Sequence, residues 1–251
     1  MSLSTIGSVC TPPADALKAP GEWLLKQSAV DVGDVLVYIS PDAVKIENLR
    51  MGYAVLTKAP DWQVYCYRAK DKKYWTGCMK DFNGILLRNP FAVPKFNQAI
   101  LHQVAQVQYC NVPCTEYRPN PASYTLLGAN TIATDTRVSE LLCRYFFVNK
   151  MKAVPLARRN LVVRQERQLA GNGSNGWLDA DLARDLRKGP EQVLWTTAVQ
   201  TKTYSSEDFA LPKEMTRLKD IGQIGMSNDT RDKFSDLFGE FGNVSRTDKN
   251  A

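Results

Sequence analysis

Residues 35–82 read VLVYISPDAVKIENLRMGYAVLTKAPDWQVYCYRAKDKKYWTGCMKDF, and the fold class follows from this stretch. Short runs rich in Val, Ile, Tyr and Trp recur at roughly ten-residue intervals between clusters of Pro, Asp and Lys, a pattern typical of a meander of β-hairpins. In the second run, Val44 and Ile46 alternate with charged residues, so we expect one face of the sheet to be buried and the other to face water. The predicted strands are Val35–Ser40, Ala43–Arg50, Gly52–Lys58, Trp62–Arg68 and Tyr74–Phe82.

Beyond the meander, the clearest helical signal lies in Arg137–Val148, where large apolar residues recur at the three- and four-residue spacing of one helix face. Asp135 or Thr136 is expected to cap this helix. Residues 111–121 contain three prolines and are predicted to be irregular. Further helices are predicted at Glu22–Gln27, Phe96–Val107, Asp179–Lys188 and Asp229–Phe241, and further strands at Gln106–Cys110, Leu161–Gln168 and Val193–Tyr204.

Length and composition fit one globular domain with appendages. The chain has 251 residues, of which 44% are hydrophobic and 23% charged, and these values are ordinary for a folded protein. We predict an amino-terminal arm with a short helix over residues 1–28, an antiparallel sheet domain with covering helices over 29–220, and a C-terminal amphipathic helix or tail over 221–251. No apolar run approaches the roughly 18 residues needed to span a bilayer, so no transmembrane segment is predicted.

The net charge of +6 arises largely in one stretch of the chain. Residues 144–168 hold seven basic side chains and a single acidic one, Glu166. Such a surface can attract phosphates or anionic lipid head groups, although a solvated surface is the simpler interpretation. Most aromatic residues that could stack on bases lie elsewhere, at positions 53–75, so nucleic acid is not predicted as a partner.

The six cysteines leave disulfide formation open in a chain of this size. If the last two strands of the meander form a hairpin with the loop Asp71–Lys73, Cys66 lies directly opposite Cys78, at a separation that a disulfide can bridge. Cys66 and Cys78 are therefore the candidate disulfide, and the alternative is two small apolar residues sharing a buried face. Cys110 and Cys114 form a CxxxC pair, which suits zinc and redox sites poorly and leaves a local disulfide or free thiols open.

No catalytic or metal-binding constellation is recognisable in the sequence. His102 is the only histidine, so metal sites with two histidines are excluded, and the lack of a motif around it favours an ordinary, partly buried side chain. The glycine-rich residues 171–176 lack the Gly-Lys-Ser/Thr ending of a phosphate-binding loop. We therefore predict no catalytic residue, no cofactor and no metal, and a protein that is not an enzyme.

Three segments of the second half resemble a known family. Pro155-Leu156, Val193–Val199 and Phe209–Lys213 are similar to the closing strands of the bacterial lipoprotein-carrier (LolA/LolB-like) half-barrel superfamily, in which a threonine-rich strand precedes a Phe-x-x-Pro element. The meander of residues 35–82, with Val37–Ser40 and Lys45-Ile46, is similar to the early strands of that family as well. The resemblance implies an α+β fold: a curved antiparallel β-sheet (half-barrel) with helices packed on the concave face.

The same resemblance implies an exported, periplasmic protein that binds a lipid or an acylated protein in an apolar groove between sheet and helices. Met1–Leu3 lack the features of a signal peptide, which is expected if the leader has been removed. The alternative is a protein-interaction domain with a solid core that docks through its C-terminal helix, and the oligomeric state is not predicted. The candidate groove residues are Tyr53, Val55, Tyr65, Tyr67, Leu142, Phe146 and Trp195.

Overall fold

The computed structural model describes residues 21–84, 99–161 and 192–225. Within these ranges the chain forms twelve strands, the helix α1 (Thr136–Tyr145), the helical turn α2 (Gly222–Gly225) and 3-10 turns at Met79–Asp81 and Ser206–Phe209. The strands are β1 (Glu22–Ala29), β2 (Gly33–Ser40), β3 (Ala43–Asn48), β4 (Tyr53–Lys58), β5 (Val64–Arg68), β6 (Lys73–Gly77), β7 (Leu101–Tyr109), β8 (Val112–Pro119), β9 (Tyr124–Ala129), β10 (Val154–Asn160), β11 (Gln192–Lys202) and β12 (Thr216–Arg217).

These twelve strands form one sheet, in the spatial order β12-β6-β5-β4-β3-β2-β1-β11-β10-β9-β8-β7. All neighbours pair antiparallel except β12, which runs parallel to β6. Strands β2–β6 are neighbours in chain order, which confirms the predicted meander, although its fifth strand ends at Gly77 rather than Phe82. Strand β11 confirms the strand predicted at Val193–Tyr204, and β1 connects it to the meander by pairing with β2 on one side and β11 on the other.

The sheet is strongly curved and does not close on itself. Helix α1 contacts β3 and β4 on one side and β10 on the other. On a flat sheet, β4 and β10 would lie roughly 24 Å apart, since five spacings of about 4.8 Å separate them in the strand order. A helix of ten residues is only about 15 Å long and 10–12 Å wide. The sheet must therefore wrap around α1, and the fold is the α+β half-barrel that the sequence predicts.

Helix α1 lies where the periodicity predicts it, but it is shorter, since it ends at Tyr145 rather than Val148. The carboxylate of Asp135 caps its first turn by accepting a hydrogen bond of 2.9 Å from the backbone N–H of Arg137. The apolar face of the helix packs into the concave core, so its burial, rather than helix propensity, holds it in place. The buried apolar residues of this face are Val138, Leu141, Leu142 and Tyr145.

The sheet has an apolar cluster on each of its two faces. On the concave face, residues such as Val37, Ile46 and Val55 are fully buried beneath α1 and form the main core. On the convex face, a smaller cluster forms around Leu56 and Phe209, where the 3-10 turn Ser206–Phe209 covers the sheet. Apolar and polar residues therefore alternate clearly only in strands that have one face in contact with water. Strands that are covered on both faces are apolar over nearly their whole length.

The helix predicted at Glu22–Gln27 is wrong, because these residues belong to β1. Leu25, Gln27 and Ala29 are buried on the concave face, whereas Lys26 between them is exposed. The alternation of apolar and polar residues that marks a strand is interrupted here, because one inward-facing position holds the polar residue Gln27, which is only 2% exposed.

Two predictions for residues 96–121 are also wrong. The described part of the helix predicted at Phe96–Val107 forms β7 instead, which confirms the neighbouring strand prediction at Gln106–Cys110. Residues 112–119 of the segment predicted to be irregular form β8. Pro113 is tolerated because β8 pairs with β9 only from Thr115 onward, and Pro119 is the last residue of the strand.

Several predictions fall partly or wholly outside the described residues. The strand predicted at Leu161–Gln168 begins just after β10, which spans Val154–Asn160 instead, and residues 162–168 lie outside the described ranges. The helices predicted at Asp179–Lys188 and Asp229–Phe241 lie outside them entirely. The division into an arm, a sheet domain and a tail stays a prediction. Among the described helices, none is long and apolar enough to cross a membrane.

Candidate functional site

The tip of the hairpin formed by β7 and β8 contacts β11, although β9 and β10 lie between β8 and β11 in the strand order. The hydroxyl of Tyr109 donates to the carbonyl of Thr196 at 3.1 Å and accepts from the N–H of the same residue at 3.3 Å. The thiol of Cys110 donates to the same carbonyl at 3.2 Å. One phenol thus satisfies both backbone groups of a strand residue, as a neighbouring strand normally would.

The seam between β10 and β11 is bridged by side chains over part of its length. The two strands pair at Arg158–Leu194 and Arg159–Gln192. Further along, the hydroxyl of Thr196 donates to the carbonyl of Leu156 at 2.7 Å, and the amide of Gln27 donates to the carbonyl of Pro155 at 3.0 Å. Gln27 also donates to the hydroxyl of Thr196 at 2.9 Å. Because these groups are buried, the seam is a closed wall rather than an open edge.

A cavity of about 690 Å³, which we call the hairpin cavity, lies between this hairpin tip and the ends of β1 and β11. Its apolar side chains are Trp23, Val112, Pro113 and Val199. Thr131 and Thr201 contribute hydroxyl groups, and none of its described lining residues carries a charge. Its volume falls within the range of about 300–1,000 Å³ that is usual for small-ligand sites.

The seven predicted groove residues are divided between the two faces of the sheet. Tyr53, Val55, Leu142 and Phe146 come together in the concave core, where each is at most 6% exposed. They fill the space beneath α1 and do not line the hairpin cavity.

Polar atoms within this group are satisfied internally. The hydroxyls of Tyr53 and Tyr145 lie 3.3 Å apart, and the amide of Asn48 donates to the Tyr145 hydroxyl at 3.3 Å. Burial raises the pKa of Tyr145 well above its ordinary value, so the phenol stays neutral. The side chains of Asn48, Tyr53 and Tyr145 thus bond to one another within the core, which indicates a structural role.

The other predicted groove residues lie on the convex face. Tyr67 belongs to the cluster around Phe209, Tyr65 packs against that cluster, and burial raises the pKa of Tyr67 to about 12. Trp195 pairs with Ser28, one residue from the inward-facing Leu194, so it points to the opposite face. The sequence places these aromatic residues on neighbouring strands. Which face of the sheet each side chain occupies depends on how the strands pair, because a shift of one residue moves every side chain to the opposite face.

The register predicted for Cys66 and Cys78 is wrong. Cys66 pairs with Trp75, and Cys78 lies beyond the end of β6. The last pair before the turn is Arg68 with Lys73, so four residues form the loop instead of three. Both thiols are free: Cys66 is fully buried, and Cys78 donates to Asp81 at 2.7 Å. The predicted disulfide therefore lacks its geometric basis.

The remaining candidate residues do not come together into a reactive site. His102 is exposed on β7 rather than partly buried. Cys110 and Cys114 are free thiols, and burial raises the pKa of Cys114 to about 11, which disfavours the reactive thiolate. Within the described ranges, no group of three or more His, Cys, Asp or Glu is placed to hold a metal ion.

Two arginines of the basic stretch serve the scaffold. Arg144 donates to the carbonyl of Phe82 at 3.2 Å, and Arg158 donates to the carbonyl of Phe147 at 2.9 Å while its guanidinium lies over the ring of Tyr124. The basic residues beyond Leu161 lie outside the described ranges. Arg144 and Arg158 thus each use part of their hydrogen-bonding capacity on a backbone carbonyl.

Sequence reasoning missed the hairpin cavity, although one local signal pointed to the hairpin. Tyr109 pairs with Val112 across the two residues Cys110 and Asn111, and both of these have positive φ, at 50° and 60°. Asn is favoured at such a turn, and the flanking residues Val107 to Cys114 place apolar side chains on both strands. The contact of this tip with β11 has no local signature.

Neither a protein-family model nor a curated protein matches the sequence. Among solved structures, the chain is similar to an uncharacterized conserved protein from Thermus thermophilus, with 9% identity and a TM-score of 0.41 over 80% of this chain and 91% of that one. It is similar to MucB with 9% identity and a TM-score of 0.32, over 78% of this chain and 58% of that one.

A third similar structure is a putative outer membrane lipoprotein-sorting protein domain from Vibrio parahaemolyticus. The identity is 10% and the TM-score is 0.28, over 76% of this chain and 90% of that one. The half-barrel assignment itself rests on the chain's own strand order and on the contacts of α1 with β3, β4 and β10.

Proposed function

We propose that the chain is a non-enzymatic, extracytoplasmic binding protein that holds an acyl chain of a lipid or of a lipidated partner in the hairpin cavity. The observation that carries this proposal is an open space of about 690 Å³ on the concave side whose described lining is uncharged. Trp23, Val112 and Val199 offer apolar surface there, and all three contact or belong to the main core. An acyl chain needs such surface and no particular polar partner.

The energetics of such binding require no motif. Each methylene that leaves water contributes about 0.8 kcal/mol, so eight buried methylenes are worth about 6 kcal/mol before the entropy of association is subtracted. This supports weak, reversible binding, which suits a carrier or sensor of lipidated molecules. It also explains why the sequence offers no recognisable set of polar residues at the cavity.

Thr201→Trp provides a direct test, because the side chain lines the cavity while the residue itself is exposed, so the indole can occupy the space without disturbing the core. Purified protein is titrated with a fluorescent acyl probe, and lipid extracts are examined by mass spectrometry. We expect the probe to bind saturably to the wild type and at least about tenfold more weakly to the variant.

Thr216→Trp is the matched control, since Thr216 is an exposed strand residue at the far edge of the sheet. It should bind the probe as the wild type does. Absence of saturable binding to the wild type, or equal binding by Thr201→Trp, would reject the proposed function.

A further inference from the structure

A second cavity, of about 820 Å³, lies beside the β7–β8 hairpin at the end opposite its tip. We call it the basic cavity. It is bordered by the residues that lead into β7 and by those that follow α1. Ile100, Leu101 and Met151 give it an apolar wall. Ile100 is 76% exposed, a high value for a large apolar side chain beside a cavity, so the wall has apolar surface left to cover.

Three cations surround the same space, namely Arg144, Lys150 and Lys152. Its described lining includes no carboxylate. One carboxylate outside the lining, Glu140, lies 2.9 Å from the guanidinium of Arg144 and 3.8 Å from the ammonium of Lys150. Among the residues that the structure describes, the one carboxylate of Glu140 thus pairs with two of the three cations, and the described surroundings of the cavity keep a positive excess.

The scaffold holds the Arg144 guanidinium and the backbone of the lysine segment in place. Arg144 sits in the last turn of α1 and is held by Glu140 and by the carbonyl of Phe82. The segment that carries the lysines is tied to the same helix, because the hydroxyl of Ser139 donates to the carbonyl of Lys152 at 2.8 Å. The backbone of the lysine segment is thus held next to α1, while the ammonium groups themselves lie in exposed side chains.

We propose that the basic cavity binds an anionic amphiphile, a molecule with a carboxylate or phosphate head group and an alkyl chain. The head group accepts charge-assisted hydrogen bonds from Arg144, Lys150 and Lys152, and the alkyl chain covers Ile100 and Met151. This inference goes beyond the proposed function, which concerns a different cavity and requires no charge on the ligand. A ligand with only one of the two features would interact either with the cations or with the apolar wall, but not with both.

The test uses dodecyl phosphate and dodecanoate as probes, with dodecyltrimethylammonium and inorganic phosphate for comparison. Calorimetric titration at low ionic strength should show saturable binding of both anionic amphiphiles, weakening as salt is added because the lysines are exposed. Inorganic phosphate that competes as well as dodecyl phosphate would overturn the proposal, since the wall would then contribute nothing. Equal binding of the cationic amphiphile would overturn it as well.

Charge reversal at the rim locates the binding. The double variant Lys150→Glu/Lys152→Glu should bind dodecyl phosphate about tenfold more weakly at low salt, since two exposed cations become anions. Lys219→Glu is the matched control, because this exposed lysine follows β12 at the opposite edge of the sheet, and it should change the affinity less than about twofold. An equal loss in both variants would indicate a general charge effect and overturn the proposal.

The two cavities are separated by combining variants. If Thr201→Trp abolishes binding of dodecyl phosphate and the lysine double variant leaves it unchanged, the hairpin cavity is the only site and this inference fails while the proposed function stands. If the lysine variant alone loses dodecyl phosphate and the neutral acyl probe binds nowhere, the proposed function fails and this inference stands. A displacement of dodecyl phosphate by a glutamate-rich peptide at equal concentration would assign the cavity to acidic peptides instead.

Discussion

The two halves of the sheet differ in how regularly their strands pair. From β2 to β6, residues face each other one to one without a shift. From β7 to β11, the register shifts within the β7–β8, β9–β10 and β10–β11 pairs. Both described cavities adjoin the irregular half, whereas side chains and α1 fill the space beside the regular half. A shift in register interrupts the backbone ladder, so side chains replace backbone partners there and the strands leave unfilled space beside them.

The largest expected effect lies in the regular half. Ile46 is fully buried and pairs with Val37 and Val55 on neighbouring strands. Ile46→Ala should lower the free energy of unfolding by roughly 2–5 kcal/mol, because it removes three buried carbons and leaves a cavity that the packed sheet cannot collapse. Equilibrium denaturation by urea measures the loss.

Val104→Ala serves as the control in the irregular half, since Val104 lies on β7 and is 50% exposed. Its effect should stay within about 0.5 kcal/mol. Similar losses from the two substitutions would contradict the view that close packing in the regular half supplies most of the stability.

An intermediate effect is expected at the bridged seam. Thr196→Val removes the hydroxyl that donates to Leu156 and accepts from Gln27, so a buried carbonyl and a buried amide each lose a partner. We expect a loss of about 1–3 kcal/mol in the free energy of unfolding. The neighbouring Thr197→Val removes an exposed hydrogen bond to Lys26 and should cost well under 1 kcal/mol. The order of the two values, measured by denaturation, decides whether the seam is structural.

The smallest effect concerns pH at the junction of the halves, where Glu22 begins β1. Its side chain is fully buried, and burial raises the pKa of this carboxyl although the N–H of Ser205 donates to it. A raised pKa in the folded state means that the charged form weakens folding above that pKa and that the penalty vanishes once both states are protonated. The stability of the wild type relative to Glu22→Gln should therefore increase as pH falls.

The measurement compares melting curves of the wild type and Glu22→Gln between about pH 8 and pH 4. Glu207→Gln, at an exposed position nearby, is the control and should follow the wild type at each pH. A difference between wild type and Glu22→Gln that stays constant over this range would show that burial does not set the protonation of Glu22.

The sequence predicts the regular half because each strand there carries its own evidence. In β3, inward Val44 and Ile46 alternate with charged residues, and the turns between strands hold Pro, Asp and Gly. The same reasoning fails for β1, where the inward position of Gln27 is filled by a polar side chain that bonds across the sheet. It fails for β8 because Pro113 is acceptable only where the strand has no second neighbour. The local sequence does not show which strands will lie beside β8.

The candidate site was less predictable than the fold, for a physical reason. Trp23, Val112 and Val199 belong to three strands far apart in the chain: the pairing of β1 with β11 brings Trp23 close to Val199, and the contact of the β7–β8 hairpin tip with β11 adds Val112. The predicted groove failed as a single surface because Tyr65 and Tyr67 point away from Tyr53 and Val55. The face of Tyr65 and Tyr67 is set by the pairing of β5 with β4, in which Tyr65 lies opposite Leu56.

The bridged seam is the place where β10 and β11 are joined by side chains in addition to backbone pairs. Where β10 and β11 are joined by the side chains of Gln27 and Thr196, separation requires new rotamers for two residues, and the strands keep their backbone pairs at Arg158 and Arg159. A sheet joined by its ladder throughout would have to unzip consecutive backbone bonds to widen by the same amount. The seam is thus the part of the sheet where two strands could separate with the smallest loss of backbone hydrogen bonds.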